Sequence, residues 1–262
     1  MDSSATAGGF EHPSLLSPPQ SSTASVSTAY ATLPHAREHP LKSGGSKESS
    51  FIRFVDQGIQ RIQRRFAKRG SDEADKGEKE EVKGYTSFSE FAKDTEALID
   101  LVWVSGTPSL EVPYLLRLAS LVAEVLPEFP AAPKATFRIL DKLDLAFASL
   151  LQGRHVETGE TLSGFSTGRK VSGTEKVRMK SIVDQTRVIV MDVIVNSGDA
   201  EEEEEDDQTV YMETGDEMED VQESYGEDYG EREMGVARIY DRTVVELGDT
   251  IGGTPIGIIT DD

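Results

Sequence analysis

The chain has no cysteine. That removes disulfide scaffolds, thiolate nucleophiles and cysteine-ligated zinc or iron–sulfur centres together. Histidine is nearly as scarce. Of the four present, His12, His35 and His39 lie in a Ser/Pro-rich start, which leaves His155 alone in a glycine-rich stretch. A single imidazole with no placed partner makes no general base, and Glu157 and Glu160 beside it share no regular element on which to form a metal or acid–base group. The sequence contains no G-x-x-x-x-G-K-[ST] loop, no G-x-G-x-x-G after a strand pattern and no H-E-x-x-H. The phosphate-cradling and zinc-protease signatures are therefore missing. The expectation is a protein that is not an enzyme and binds no cofactor or metal. Long apolar runs are absent too: none approaches the roughly 18 to 20 residues needed to span a bilayer. The first residues lack the basic-then-apolar order of a secretory signal. An intracellular chain is expected, with the nucleus ahead of the cytoplasm.

What is present is unevenly placed. Hydrophobic residues make up 37% of the 262, and they gather between residues 85 and 195. The net charge is −21, and residues 199–233 carry eighteen Asp or Glu against one Arg, leaving only −4 for the rest. The pattern is a nearly neutral body with an acidic tract.

Taken in order, residues 1–50 read as a disordered Ser/Pro-rich start with few apolar side chains to offset the entropy of ordering. Residues 51–69 switch to helical periodicity. Phe51, Val55, Ile59, Ile62 and Phe66 form an apolar docking stripe, while Arg61, Arg64, Arg65, Lys68 and Arg69 make a basic cluster suited to phosphates or a partner protein. Gly58 inside this helix lowers its intrinsic stability by about 1 kcal/mol relative to alanine. Residues 70–84 are a charged linker.

A helical bundle domain is expected over 85–197. Ser87 and Glu90 have the spacing of a capping box, as do Ser172 and Glu175. Pro133 and Gly153 bracket a strongly apolar helix, since proline suits a first helical turn and glycine a left-handed C-terminal stop. Trp103 falls on an apolar face and reads as core. Pro113 would break a helix interior, so the helices are placed near 86–104, 112–126, 133–152 and 174–196, with the basic helix as a fifth member or a projection. The β-branched run at 187–195 has strand propensity but keeps helical spacing. Asp141 and Asp144 read as solvated charge on the polar face of the central helix, and Leu145 and Leu151 as apolar surplus that a partner could cover. Residues 198–235 are an acidic disordered tail, and 236–262 a short segment that could fold on binding. The fold class expected is all-α, a small four- to five-helix bundle.

The segments LDKLDLAFASLLQGRHVETGETLSGF and TEKVRMKSIVDQTRVIV, behind the Ser/Pro-rich start, resemble a group of filamentous-fungal proteins that sometimes carry a meiotic-recombination label. The strand-exchange recombinase itself is excluded by the missing nucleotide loop. The resemblance implies an accessory or adaptor role in genome maintenance and carries over no functional residue.

Three functional readings follow. The first is a non-enzymatic adaptor or regulatory subunit that binds proteins through the bundle. A nuclear nucleic-acid- or chromatin-associated factor, with basic proteins as further partners of the acidic tail, is the second. The third is a peripheral membrane protein that uses the apolar stripe of residues 51–69.

Overall fold

The computed structural model describes residues 32–70, 83–165, 168, 170–195 and 234–251. The expectations for 1–31, most of the charged linker, the acidic tract at 196–233 and the end of the chain fall outside the described residues. The fold is an all-α bundle of six helices among the described residues: α1 (Ser46–Ala67), α2 (Phe88–Val104), α3 (Pro108–Val125), α4 (Pro133–Gln152), α5 (Gly173–Val190) and α6 (Asp241–Ile251).

Local chemistry sets most of the boundaries. The Ser87 hydroxyl accepts from the Glu90 amide at 3.3 Å, and the Glu90 carboxylate accepts from the Thr86 amide at 3.2 Å, which starts α2. At α5 the capping box is complete: the Ser172 hydroxyl accepts from the Glu175 amide, and the Glu175 carboxylate accepts from the Ser172 amide at 2.8 Å. Pro133 opens α4, and Gly153 closes it at φ 72°, its amide donating to the Ser149 carbonyl at 2.8 Å. The run from Arg187 stays helical through Val190 and finishes in a single π turn at Met191–Val195.

Three boundaries differ from the sequence reading. Helix α3 begins at Pro108, not near Val112, and carries Pro113 inside it. Pro113 lacks the amide that would have bonded the Ser109 carbonyl, and the packing of Leu110, Val112, Leu115 and Leu116 holds the helix regardless. Helix α1 starts at Ser46, within the segment expected to be disordered. Residues 32–45 are held as well, because Leu33 and Ala36 pack on the core while the Arg37 amide donates to the Val104 carbonyl at 3.2 Å and the Leu41 amide to the Thr107 hydroxyl at 2.8 Å. The third difference is α6. The C-terminal segment is a member of the bundle, with Val236, Ile239, Tyr240 and Leu247 buried in the same core as the other helices.

Helix α4 packs against both α2 and α6, α3 packs against α2 and α5, and α1 lies on α2. The apolar surplus of α4 is thereby used up. Leu145 is fully buried and Leu151 is packed against the core, so neither offers a partner surface as expected from the sequence. Gly58 is explained by the same packing: a Cβ there would sit 2.7 Å from Leu98 Cδ2, so the glycine is what lets α1 approach α2.

Candidate interaction surface

The five residues of the predicted apolar stripe split between full and partial burial. Val55, Ile59 and Ile62 are fully enclosed, while Phe51 and Phe66 pack at the edge of the core. That face is turned into the bundle and is not free for a membrane surface.

The predicted basic cluster divides in two. Arg65 is structural: its guanidinium donates to Asp94 Oδ2 at 2.6 Å, to Glu90 Oε2 at 3.3 Å and to the Lys83 carbonyl at 3.0 Å, and it lies 4.0 Å over the Tyr85 ring. Tyr85 completes the clamp by donating its hydroxyl to Asp94 at 2.8 Å, and burial followed by the Asp94 charge pushes the phenol well above its ordinary range. Arg69 pairs with Glu128 and covers the Phe66 ring at 4.0 Å. Arg61 and Arg64 are exposed, and Arg64 makes only a long bond to Gln60 Oε1 at 3.4 Å. Lys68, partly buried, stands at the C-terminal cap.

A second constellation was missed from sequence. Asp144, read there as solvated, is 2% exposed and receives the start of α6. Its Oδ1 accepts from the Thr243 amide at 2.8 Å and the Thr243 hydroxyl at 2.6 Å, and its Oδ2 accepts from the Arg242 amide at 3.2 Å. Arg242 also bridges Asp141 at 2.5 Å and Asp144 at 3.3 Å. Burial outweighs these donors and holds the Asp144 carboxyl above the usual carboxylate range. Beside it Tyr240, at φ 56°, stacks on Phe147 with ring centroids 6.1 Å apart. The only trace of this site in the sequence is the pair of carboxylates on an otherwise apolar helix; their partners lie about a hundred residues on.

The glycine-rich loop after α4 is folded over 153–165. Arg154 and Thr161 form an antiparallel bridge, the His155 Nδ1 accepts from the Glu157 and Thr158 amides, and the imidazole meets the buried Trp103 edge-on at 5.9 Å. His155 is thus a turn-former. No group of His, Asp or Glu that could hold a metal ion occurs among the described residues. No helix among them is long and apolar enough to cross a membrane.

What remains outward is mostly polar or charged, with several apolar exceptions. On α5, Val177 and Val188 are exposed and at about 100° per residue fall within roughly 20° of each other; Met191 in the π turn that follows, Met234 before α6, and Val244 and Val245 on α6 are exposed too. On α1, Phe54 stands out at 62% exposure.

Neither the curated proteins nor the solved structures include a match to the chain. A family model does match: TFB6, subunit 11 of the general transcription factor TFIIH, over residues 84–248. The matched span opens one residue before Tyr85 of the Arg65 clamp and closes within α6, so it takes in the Asp144 site and leaves α1 outside. Covering well over half of the sequence, that match places the chain in the TFB6 family of TFIIH subunit 11 proteins.

Proposed function

We propose that the protein is a non-catalytic accessory subunit that works in the nucleus by binding other subunits of the TFIIH assembly through its helical bundle. The observation that carries this reading is the extent of the family match, from the start of α2 into α6. Within the matched span, Val177 and Val188 on α5 and Met191 in the turn after it offer an apolar surface for a subunit of a larger assembly to cover.

The test is co-purification from nuclear extract with the full chain as bait, beside a Val188→Glu/Met191→Glu variant that melts like the parent. Recovery of TFIIH subunits with the parent and their loss with the variant supports both the assembly and the face. Recovery with both refutes the α5 face alone. Failure to recover any TFIIH subunit with the parent overturns the reading, and recovery of recombination proteins instead would favour the accessory role in genome maintenance that the fungal resemblance implies.

A further inference from the structure

Helix α1 lies outside the family-matched span, and its inner face is already spent on the core. Its outer face has an unusual composition. At about 100° per residue, Arg53, Phe54, Gln57, Arg61 and Arg64 fall within an arc of roughly 100°, opposite the buried Val55, Ile59 and Ile62. All five are exposed.

Among the described residues, the acids of α1 do not neutralise that face. Glu48 and Asp56 are the only acids of α1. Glu48 accepts from the Gly44 amide at 2.6 Å, and Asp56 is held by Arg117 at 3.2 Å and by the Tyr114 hydroxyl at 3.2 Å. Arg53 and Arg61 have no ion pair among the described residues. In a chain of net charge −21, three arginines are gathered on one helical face around an aromatic ring that is 62% exposed.

We propose that this face of α1 binds single-stranded nucleic acid, with Arg53, Arg61 and Arg64 on successive phosphates, Gln57 donating to phosphate or sugar oxygens, and Phe54 stacking under an unpaired base. Guanidinium and amide donors supply backbone contacts that carry no sequence preference. The ring supplies what a duplex could not use, because paired bases hide their faces, whereas every unpaired base has a π-face to lay on an aromatic platform. Carboxylates of an acidic protein would answer the arginines but would be indifferent to Phe54. A lipid surface would require the apolar side of α1, which the core occupies.

The experiment is fluorescence anisotropy with a labelled oligothymidylate 20-mer and a duplex of equal length, titrated with the full chain across a salt series. The expected result is tighter binding of the single strand. The logarithm of its affinity should fall with the logarithm of salt at a slope near −2, from about −0.7 for each of three phosphates. Phe54→Ala is expected to weaken the single strand by about tenfold or more, while Phe54→Trp retains binding and shows quenched emission on saturation. Arg61→Ala/Arg64→Ala should flatten the salt slope. All these positions are exposed, so unchanged melting is the control for folding. The proposal is overturned if the full chain fails to bind the oligonucleotide at low salt. It is equally overturned by duplex binding that Phe54→Ala leaves untouched, or by capture on anionic vesicles without oligonucleotide binding.

Discussion

The hydroxyl of Thr243 lies 2.6 Å from Oδ1 of Asp144, a side-chain contact that ties α6 to α4 across ninety-nine residues of sequence. Together with the two backbone amides on the same carboxylate, it makes Asp144 an N-terminal cap supplied by another helix. The bundle depends on that cap for the placement of its last member.

Arg242→Ala removes a cation that bridges Asp141 and Asp144. Breaking a fully buried pair destabilises by roughly 3 to 5 kcal/mol, and because the Arg242 side chain keeps 31% of its exposure, a loss of about 2 kcal/mol is expected here. Urea denaturation of the variant beside the parent measures it. A change under about 0.5 kcal/mol, the range of ordinary surface substitutions, would show that the pair is idle.

Asp144 also sets a pH dependence. Its carboxyl is held above the ordinary 3.8, chiefly by burial, so the folded state keeps this proton at pH values where the unfolded chain has released it. The stability it contributes is fully present below the unfolded value and is lost as pH rises through the folded one. Asp144→Asn has no such titration. Denaturation midpoints taken from acid upward are expected to show the parent losing stability relative to Asp144→Asn across that window; parallel curves would contradict it.

The hydroxyl of Tyr240 is buried without a hydrogen-bond partner among the described residues, although its ring is stacked on Phe147. An unsatisfied buried hydroxyl is unfavourable by roughly 1 to 3 kcal/mol. Tyr240→Phe keeps the ring and discards the penalty, so a gain of about 1 kcal/mol is expected. A rise in thermal midpoint is the readout, and a fall would expose a partner for that oxygen.

Gly58 should accept a small side chain and reject a large one. The atoms nearest a new Cβ are the terminal methyls of Leu98, which can swing by some tenths of an ångström, and alanine gains about 1 kcal/mol of helix propensity. Gly58→Ala is expected to be near neutral. Gly58→Leu overfills the α1–α2 contact and should be destabilising by about 1 to 3 kcal/mol. Equal melting of the two variants would show that α1 does not press on α2 at this point.

Sequence made the backbone punctuation legible. Pro133, Gly153 and the capping residues Ser87 and Ser172 act on neighbours within four positions, so their meaning is local. The all-α class followed from the same signals. The α4–α6 site was not legible, because Asp144 acquires its role only from partners brought back by the chain after a long acidic stretch, and an isolated carboxylate on a helix looks the same whether solvated or capping. Leu145 misled for a related reason: surplus apolar surface on one helix says that something covers it, not whether the cover is another protein or the rest of the bundle. Arg61, Arg64, Arg65 and Arg69 look alike in sequence, and only the positions of Glu90, Asp94 and Glu128 separate the two that hold the bundle from the two that face outward.

Residues 196–233 separate α6 from the rest of the bundle in sequence, yet every contact described for α6 and the Tyr240 that precedes it is made with residues before that stretch. A single peptide-bond cut anywhere between Val195 and Met234 would remove none of those contacts. It would turn an intramolecular docking, favoured by a local concentration on the order of millimolar for a short tether and less for a long one, into an association between two fragments. The cut protein should therefore hold together when concentrated and shed its last helix on dilution.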